Sequence, residues 1–285
     1  MGSVKLLALA GATALFTTAA SAADFPSAMP APQVMRAAPP AEVGGWYLRG
    51  DIGVGQQNFD GFPYTQTNPG FVWPASWRID QKDMSGTAFV GVGVGYALNS
   101  WFRLDVTGEY RMKSSFKTLG SYTEFCPNGR CFDLYDGNHE AWVGLVNAYL
   151  DLGTWWCVTP FVGVGVGAAY HTVSAHSDIG FITGPGTTGF GYADKDFSKT
   201  NFAWALHAGL GYEVSSRFKV ELAYRYLNLG DVQTSTINCS GTSCAGNGPR
   251  AFYHLENFSS HDLKLGMRWM LQPEPVYAPP LMRRG

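Results

Sequence analysis

The sequence predicts an all-β fold, an eight-stranded antiparallel up-and-down barrel that crosses a membrane. Three observations lead to this prediction: an export signal at the start of the chain, eight segments in which apolar and polar residues alternate, and connections of alternating length. Alternation with a period of two is typical of strands with one apolar and one polar face. Only 15% of the 285 residues are charged, below the roughly 25% of soluble globular proteins.

The first 22 residues have the form of a cleaved signal peptide. A short region with Lys5 precedes an apolar stretch over 6–20, and Ala20-Ser21-Ala22 fits the cleavage rule. The alternative is a membrane anchor, which needs about 20 apolar residues. The stretch over 6–20 is shorter than that, and no run of about 18 apolar residues follows it in the exported chain. The exported chain is therefore either soluble or a closed barrel, because only helices and closed barrels satisfy their backbone in lipid.

Pro-rich segments bracket the folded unit. We expect a Pro/Ala-rich periplasmic linker at 23–44, a barrel at 45–271 and a Pro-rich tail at 272–285. The 20 basic and 22 acidic residues nearly balance and form no basic run, which argues against a nucleic-acid partner.

Eight strands are predicted from the alternation. The clearest is 102–112, where Phe102, Leu104 and Val106 share one face and charged residues share the other. The predicted strands are 46–57, 86–98, 101–113, 139–152, 160–172, 199–214, 217–229 and 258–271.

The connections between these strands alternate in length. Short turns lie near Asn99, at 153–159 and near Ser215. Long loops, rich in Gly, Asn, Ser and Thr, are predicted at 58–85, 114–138, 173–198 and 230–257. Short periplasmic turns and four long external loops are typical of outer-membrane barrels, and an even strand number places both termini in the periplasm.

A glycine pattern indicates a narrow interior. The sequence FVGVGVG occurs at 89–95 and again at 161–167, with Val on one face and Gly on the other. Glycine weakens a strand, so its use on one face needs a reason. In a narrow barrel, inward glycines leave room for bulky neighbours. A dinucleotide-binding loop at 163–168 is disfavoured, because neither a helix nor a suitably placed acidic residue follows.

The choice between a membrane barrel and a soluble β-sandwich depends on which face is inside. A barrel has its polar face in the lumen, where charges of both signs pair, and aromatic residues at the membrane interfaces. The predicted lumenal network consists of Arg49, Asp51, Arg103, Asp105, Glu109, Arg111, Asp151, His207, Glu213, Glu221, Arg225, Asp262, Lys264 and Arg268. The predicted interface aromatics are Trp46, Tyr96, Trp101, Phe102, Tyr149, Trp155, Phe161, Tyr212, Phe218 and Trp269. The sandwich remains the alternative, because its strands also alternate.

Several segments together resemble a known family. They are Gly45–Gly55, Asn147–Gly153, Thr159–Gly167 and the closing strand, preceded by the signal peptide and linker. The chain is similar to the opacity-protein-like, "porin family" outer-membrane β-barrels of Gram-negative bacteria. The resemblance implies outer-membrane localisation, contact with lipids and lipopolysaccharide, and insertion by the barrel-assembly machinery. Such barrels usually end on an aromatic residue, whereas here 272–285 follow the last strand, so the machinery would read an internal strand.

The five cysteines predict two small disulfides. Cys126 with Cys131 and Cys239 with Cys244 each enclose four residues in a long loop, and an oxidising compartment favours local pairing. Cross-pairing between the loops stays open. Cys157 is left over beside two tryptophans, and we expect it to be a buried or interfacial free thiol or, alternatively, to form an intermolecular bridge.

Other candidate chemistry is weak. His171 and His176, with Asp178, suggest a metal or haem site, but solvated loop histidines are the favoured interpretation because a metal needs more converging ligands. His176, Ser177 and Asp178 also supply the residue types of a hydrolase triad, which is defined by spatial geometry rather than adjacency. We therefore expect no enzyme activity, no cofactor and no metal.

The expected function is an envelope and surface-display role, with the lumen filled by charged side chains and the chain favoured as a monomer. An eight-stranded barrel is just wide enough for its side chains to fill it, whereas aqueous porins need about sixteen strands. The alternatives are a narrow channel for small solutes and a loop-borne site for haem or a host surface.

Overall fold

Twelve β-strands make up the regular structure of the described chain. The computed structural model describes residues 44–67, 74–124, 126, 129–182, 190–240 and 248–271, and within these ranges no helix is long and apolar enough to cross a membrane. The signal peptide, most of the linker, and the tail lie outside the described residues. The strands are β1 (Gly45–Asn58), β2 (Tyr64–Gln66), β3 (Arg78–Met84), β4 (Thr87–Ala97), β5 (Phe102–Tyr122), β6 (Cys131–Asp151), β7 (Val158–Ile182), β8 (Phe190–Tyr192), β9 (Phe197–Glu213), β10 (Phe218–Gln233), β11 (Ile237–Ser240) and β12 (Gly248–Met270).

Eight of the strands form a ring. The pairing runs β1, β4, β5, β6, β7, β9, β10 and β12, and β12 pairs with β1. Every pairing is antiparallel. The predicted all-β fold with eight antiparallel strands is therefore confirmed.

The ring has two different ends. At one end, called the turn end, short connections join β4 to β5, β6 to β7 and β9 to β10. At the other, called the extended end, β5, β6, β7 and β12 reach 21, 21, 25 and 23 residues. The short strands β2, β3, β8 and β11 pair onto them there. The prediction of long loops is therefore wrong for most of 114–138, 173–198 and 230–257, where the chain forms strands. The segment 58–85 also contains β2 and β3.

β-Bulges explain why these loops were not recognised as strands. The register shifts between Arg111 and Ser114 in β5, between Asp136 and Asn138 opposite β7, and around Gly230 in β10. Gly230 has a φ of 74°, which a glycine adopts without strain. A slip of one residue moves the following side chains to the other face, so the alternation stops although the strand continues.

The outer face of the ring is apolar and its inner face is polar. On β1, Leu48 and Ile52 are about half exposed, whereas Arg49 and Asp51 between them are buried. A soluble β-sandwich has the opposite arrangement, with its apolar face inside, so the barrel interpretation is supported over the sandwich. We call the outward apolar zone the band; it covers about 46–54, 88–96, 104–112, 142–150, 162–170, 202–212, 220–226 and 263–269.

The part of the ring beyond the band at the extended end is called the extension. Its interior is an apolar core rather than a polar one. We call this the upper core; its aromatic members are Phe59, Phe62, Phe116, Tyr135, Tyr253 and Phe258.

Candidate functional site: the filled lumen and the extension

The lumen near the turn end is occupied by ion pairs. Arg49 donates from Nε and Nη2 to the two carboxylate oxygens of Asp51, each at 2.9 Å, and from Nη1 to Asp105 at 2.6 Å. Glu221 lies 3.2 Å from Arg103 and 3.3 Å from Arg268. Asp105 and Glu221 thus neutralise cations that come from other strands of the ring.

A second cluster fills the lumen nearer the extended end. Arg111 donates to both oxygens of Asp262 at 3.0 and 2.9 Å, and Arg225 contacts both Asp262 and Glu109. Glu109 also accepts from Arg111 at 3.2 Å. These four side chains are almost completely buried. Paired Arg–carboxylate contacts with two hydrogen bonds have fixed geometry, so this cluster is rigid.

The two clusters balance in charge. Six cations face six acids: Arg49, Arg103, Arg111, Arg225, Lys264 and Arg268, against Asp51, Asp105, Glu109, Asp151, Glu221 and Asp262. Twelve of the fourteen predicted lumenal residues are buried. The exceptions are Asp151, half-buried on Arg103, and Glu213, which pairs with Lys219 at the turn end. His207 lies against Asn147, with Nε2 3.2 Å from Oδ1.

Inward glycines make room for these side chains. A Cβ on Gly95 would meet the ring of Tyr47, and one on Gly163 would meet the ring of Tyr149. The Arg103 guanidinium lies 4.1 Å from the centroid of the Tyr149 ring, a cation–π contact. The prediction that bulky neighbours fill the space of the one-sided glycines is confirmed.

Most of the predicted interface aromatics face outward. Trp46 and Tyr96 contact each other edge to face at 5.2 Å, and Phe218 packs on Trp269 at 5.8 Å. Trp101, Trp155 and Tyr212 are exposed near the turn end.

Two of the aromatic predictions are wrong. Tyr149 and Phe161 are buried inside the ring, and both rings contact the Arg103 guanidinium. Tyr149 shares the inward face with Asn147 and Asp151, so its position in the alternation identifies it as lumenal. Tyr47 and Phe89, which the sequence argument did not single out, also stack on lumenal arginines.

The upper core closes the interior above the charges. Phe62, from the connection between β1 and β2, stacks on Tyr253 with ring centroids 4.7 Å apart and planes at 7°. It also contacts Tyr135 and Phe116. The connection is held by main-chain bonds to β12, including Asp60 N to Glu256 O at 2.9 Å. An apolar layer therefore lies directly on the polar network.

Two acidic side chains face inward near the tip of the extension. Tyr253 Oη donates to Tyr135 Oη at 3.2 Å, and Tyr135 donates to Asp133 Oδ2 at 3.3 Å. Burial raises the pKa of Asp133 to about 6. Burial, with the neighbouring Asp133 charge, raises the pKa of Asp178 well above its usual value. Both carboxyls thus hold protons at higher pH than in water.

The candidate histidines do not form a metal site. His171 and His176 lie in β7 and are buried, so their interpretation as solvated loop residues is wrong. His171 Nδ1 is 2.9 Å from His139 Nε2, and His176 Nδ1 contacts the Asp136 carbonyl at 2.9 Å. Among the described residues, no three metal-binding side chains converge.

A hydrolase triad is not supported by the geometry. His176 faces the interior, whereas Ser177, the next residue along β7, bonds to the Asp136 carboxylate on the outer face. Alternate faces of one strand separate the two side chains.

The first of the two predicted local disulfides is present. Cys126 and Cys131 form a disulfide with Cα atoms 5.8 Å apart, and Cys157 is a free, exposed thiol in the β6–β7 turn. Cys239 lies in β11, but its pairing with Cys244 lies outside the described residues.

The chain matches one family model and is similar to several known proteins. A family model described as "Outer membrane protein beta-barrel domain" matches residues 8–240. An uncharacterized protein of Brucella suis is 31% identical over 280 residues, covering 88% of this chain and 93% of that protein. A Rickettsia conorii protein named "Putative adhesin" is 29% identical over 268 residues, covering 93% and 98%. The solved structure of Neisserial surface protein A matches with a TM-score of 0.38 at 14% identity, covering 80% and 99%.

Proposed function

Because this chain belongs to the outer membrane protein β-barrel family, we propose that it is an integral outer-membrane protein with a closed lumen that displays its extension at the cell surface. Its role is structural and one of display, without catalysis or open diffusion. A signal peptide directs export, and the barrel-assembly machinery inserts the chain.

The proposed orientation follows from the two ends of the ring. The turn end lies in the periplasm and the extended end faces the exterior, as in other outer-membrane barrels. The band then contacts lipid and the lipid portion of lipopolysaccharide, and aromatic residues such as Trp101 and Trp155 lie at the periplasmic interface.

The packing of side chains inside the ring is the observation that supports the proposal. The charge network joins residues from non-neighbouring strands, as in the pair of Arg225 on β10 with Glu109 on β5. Above it, the upper core adds an apolar layer that hydrated ions do not cross without losing their water. A narrow channel would have to disrupt both layers.

Planar-bilayer recording tests this proposal against the channel alternative. We expect no large, stable conductance steps from the refolded wild-type chain. A variant with Phe62→Ala and Arg111→Ala, which thins both layers, is the matched comparison and should conduct more. Stable steps from the wild-type chain would refute the closed lumen.

Labelling of the free Cys157 thiol tests both the location of the chain in the outer membrane and its orientation there. In a variant whose other four cysteines are serine, a membrane-impermeant maleimide should label Cys157 only after the outer membrane is permeabilised. Labelling in intact cells would reverse the orientation. Mass spectrometry of the same sample should show a mature chain that starts at Ala23.

Surface attachment is a second candidate function. The similar Rickettsia protein is named a "Putative adhesin", and here strands of the extension flank the segments 183–189 and 241–247. A non-adherent bacterium that displays the chain should bind host cells, and shortening each of these segments should reduce this binding. Equal binding by the shortened variants would remove this candidate.

A further inference from the structure

The outer face of the extension carries an isolated apolar surface. Ile179 and Phe181 on β7, with Phe190 and Tyr192 on β8, are 38–50% exposed. Among the described residues of the extension, no other large apolar side chain is exposed to that degree. The exposed apolar side chains of the extension are thus confined to two neighbouring strands and are not scattered around the ring.

Strand register makes this surface continuous with half-buried neighbours. Leu119, Leu134, Ile179 and Phe190 are register partners on β5, β6, β7 and β8, so their side chains form one row. Phe132 and Phe181 are partners in the next row. We call these six residues and Tyr192 the lateral patch. Contiguous apolar patches of a few hundred Å² usually mark interaction sites.

The lateral patch is separate from the band. Between them, three successive outward positions of β6 are polar: Glu140, Asn138 and Asp136. Glu140 accepts a hydrogen bond from Tyr110, and Asp136 accepts one from Ser177, which fixes both on the outer face. Eight residues separate Trp142 from Leu134, or roughly 20 Å of height for a tilted strand. The patch therefore lies above the acyl chains and does not contact lipid tails.

From this placement we propose that the lateral patch is a docking surface for a second copy of this chain. The patch faces sideways, parallel to the membrane, at a fixed height. Every copy is inserted with the same orientation, so a neighbouring copy presents the same patch at the same height. A twofold axis along the membrane normal then joins the two patches in an isologous contact.

The flank of the patch is compatible with this contact. Its charged residues nearest the band are Asp83, Lys117 and Asp136, which are partners in register across β3, β5 and β6 and alternate in sign. Lys117 of one copy can therefore pair with an acidic residue of the facing copy. The patch has seven residues, fewer than the roughly 20–30 per side of standard interfaces, so the dimer relies on confinement of both copies to one membrane. The sequence alone favoured a monomer.

Photo-crosslinking in the outer membrane tests the proposal. Two differently tagged copies are produced together, both carrying Phe190→benzoylphenylalanine. Irradiation should give an adduct of twice the chain mass that contains both tags. The matched control is Phe252→benzoylphenylalanine, a half-buried outward residue on β12 away from the patch, which should give at least tenfold less of this adduct.

Charge substitution provides the second measurement. The double variant Ile179→Asp, Phe181→Asp should lose the adduct at Phe190 while its gel mobility still shifts on heating, which shows an intact barrel. Thr65→Asp, an exposed residue on β2, should retain the adduct. Adducts with only lipopolysaccharide or another protein, no adduct, or an adduct that survives the double variant would each overturn the proposal.

Discussion

The Arg225 guanidinium donates to both carboxylate oxygens of Glu109, from Nη1 to Oε2 and from Nη2 to Oε1, each at 2.7 Å. The two residues lie on β10 and β5, which are not neighbours in the ring. This pair therefore bridges the lumen, and Asp262 and Arg111 complete a buried square of alternating charge around it.

Removing one charge from this square should destabilise the barrel. Glu109→Gln leaves Arg225 and Arg111 with a single carboxylate, and an uncompensated buried charge costs about 3–5 kcal/mol. Urea unfolding in lipid vesicles measures the loss. The control is Glu213→Gln, which breaks the more exposed pair with Lys219 and should cost at most about 1 kcal/mol. Equal losses would show that the square contributes no more than a surface pair.

The two faces of the strands should respond oppositely to added methyl groups. A Cβ on Gly167 would lie against the carbonyl oxygen of Gly144, whereas a Cβ on Gly50 would meet no atom within 4 Å. Gly167→Ala should destabilise the barrel by about 1–3 kcal/mol. Gly50→Ala should instead stabilise it by about 0.4–1 kcal/mol, because alanine restricts the unfolded chain. The same urea experiment tests both, and a tolerated Gly167→Ala would argue against the tight interior.

Phe62 should hold the upper core together. Its ring is 1% exposed and stacks on Tyr253, so Phe62→Ala should cost about 3–5 kcal/mol in the extension. Hydrogen exchange should show faster exchange of amides in 131–137 and 249–256, with the band unchanged. Phe252→Ala, on the outer face, is the control and should leave these amides protected. Unchanged protection in Phe62→Ala would mean that the segment 59–63 does not support the core.

The ring strands could be predicted from the sequence because their alternation is uninterrupted within the band. On β5, the alternate residues from Arg103 to Arg111 all face the lumen, including the partly exposed Thr107, which accepts a hydrogen bond from Asn147. The extension could not be predicted in the same way. Its bulges near Ser114 in β5, Ala175 in β7 and Gly230 in β10 reverse the faces, and water outside allows polar residues on the outer side of a strand.

The lumenal position of Tyr149 and the lateral patch were not predicted either. Tyr149 was assigned to the interface from its residue type, although its parity with Asn147 places it in the lumen. The lateral patch joins residues from β5 to β8, and no local pattern brings Leu119 together with Phe190. Only the register of the strands does so.

The acid pair at the tip should make the stability of the extension depend on pH. Because the pKa of Asp133 is raised to about 6 and that of Asp178 is raised further from its usual range, the folded state binds more protons than the unfolded state. Their contribution to the free energy of unfolding therefore falls as pH rises from about 4 through these values. His176 acts in the opposite sense below about pH 6.5, since burial lowers its pKa to about 4.

Asp178→Asn separates these effects, because the variant retains His176. At pH 8 it should raise the free energy of opening of the tip by about 1–3 kcal/mol, since asparagine requires neither a buried charge nor the uptake of a proton at this position, where the carboxyl has no hydrogen-bond partner at Oδ1. At pH 4 the wild-type chain and the variant should differ little. Hydrogen exchange of the amides in 131–135 and 177–181 at both pH values measures the difference. A gain that is equal at pH 4 and pH 8 would show that the pKa of Asp178 is not raised in the folded extension, and that the variant acts through packing alone.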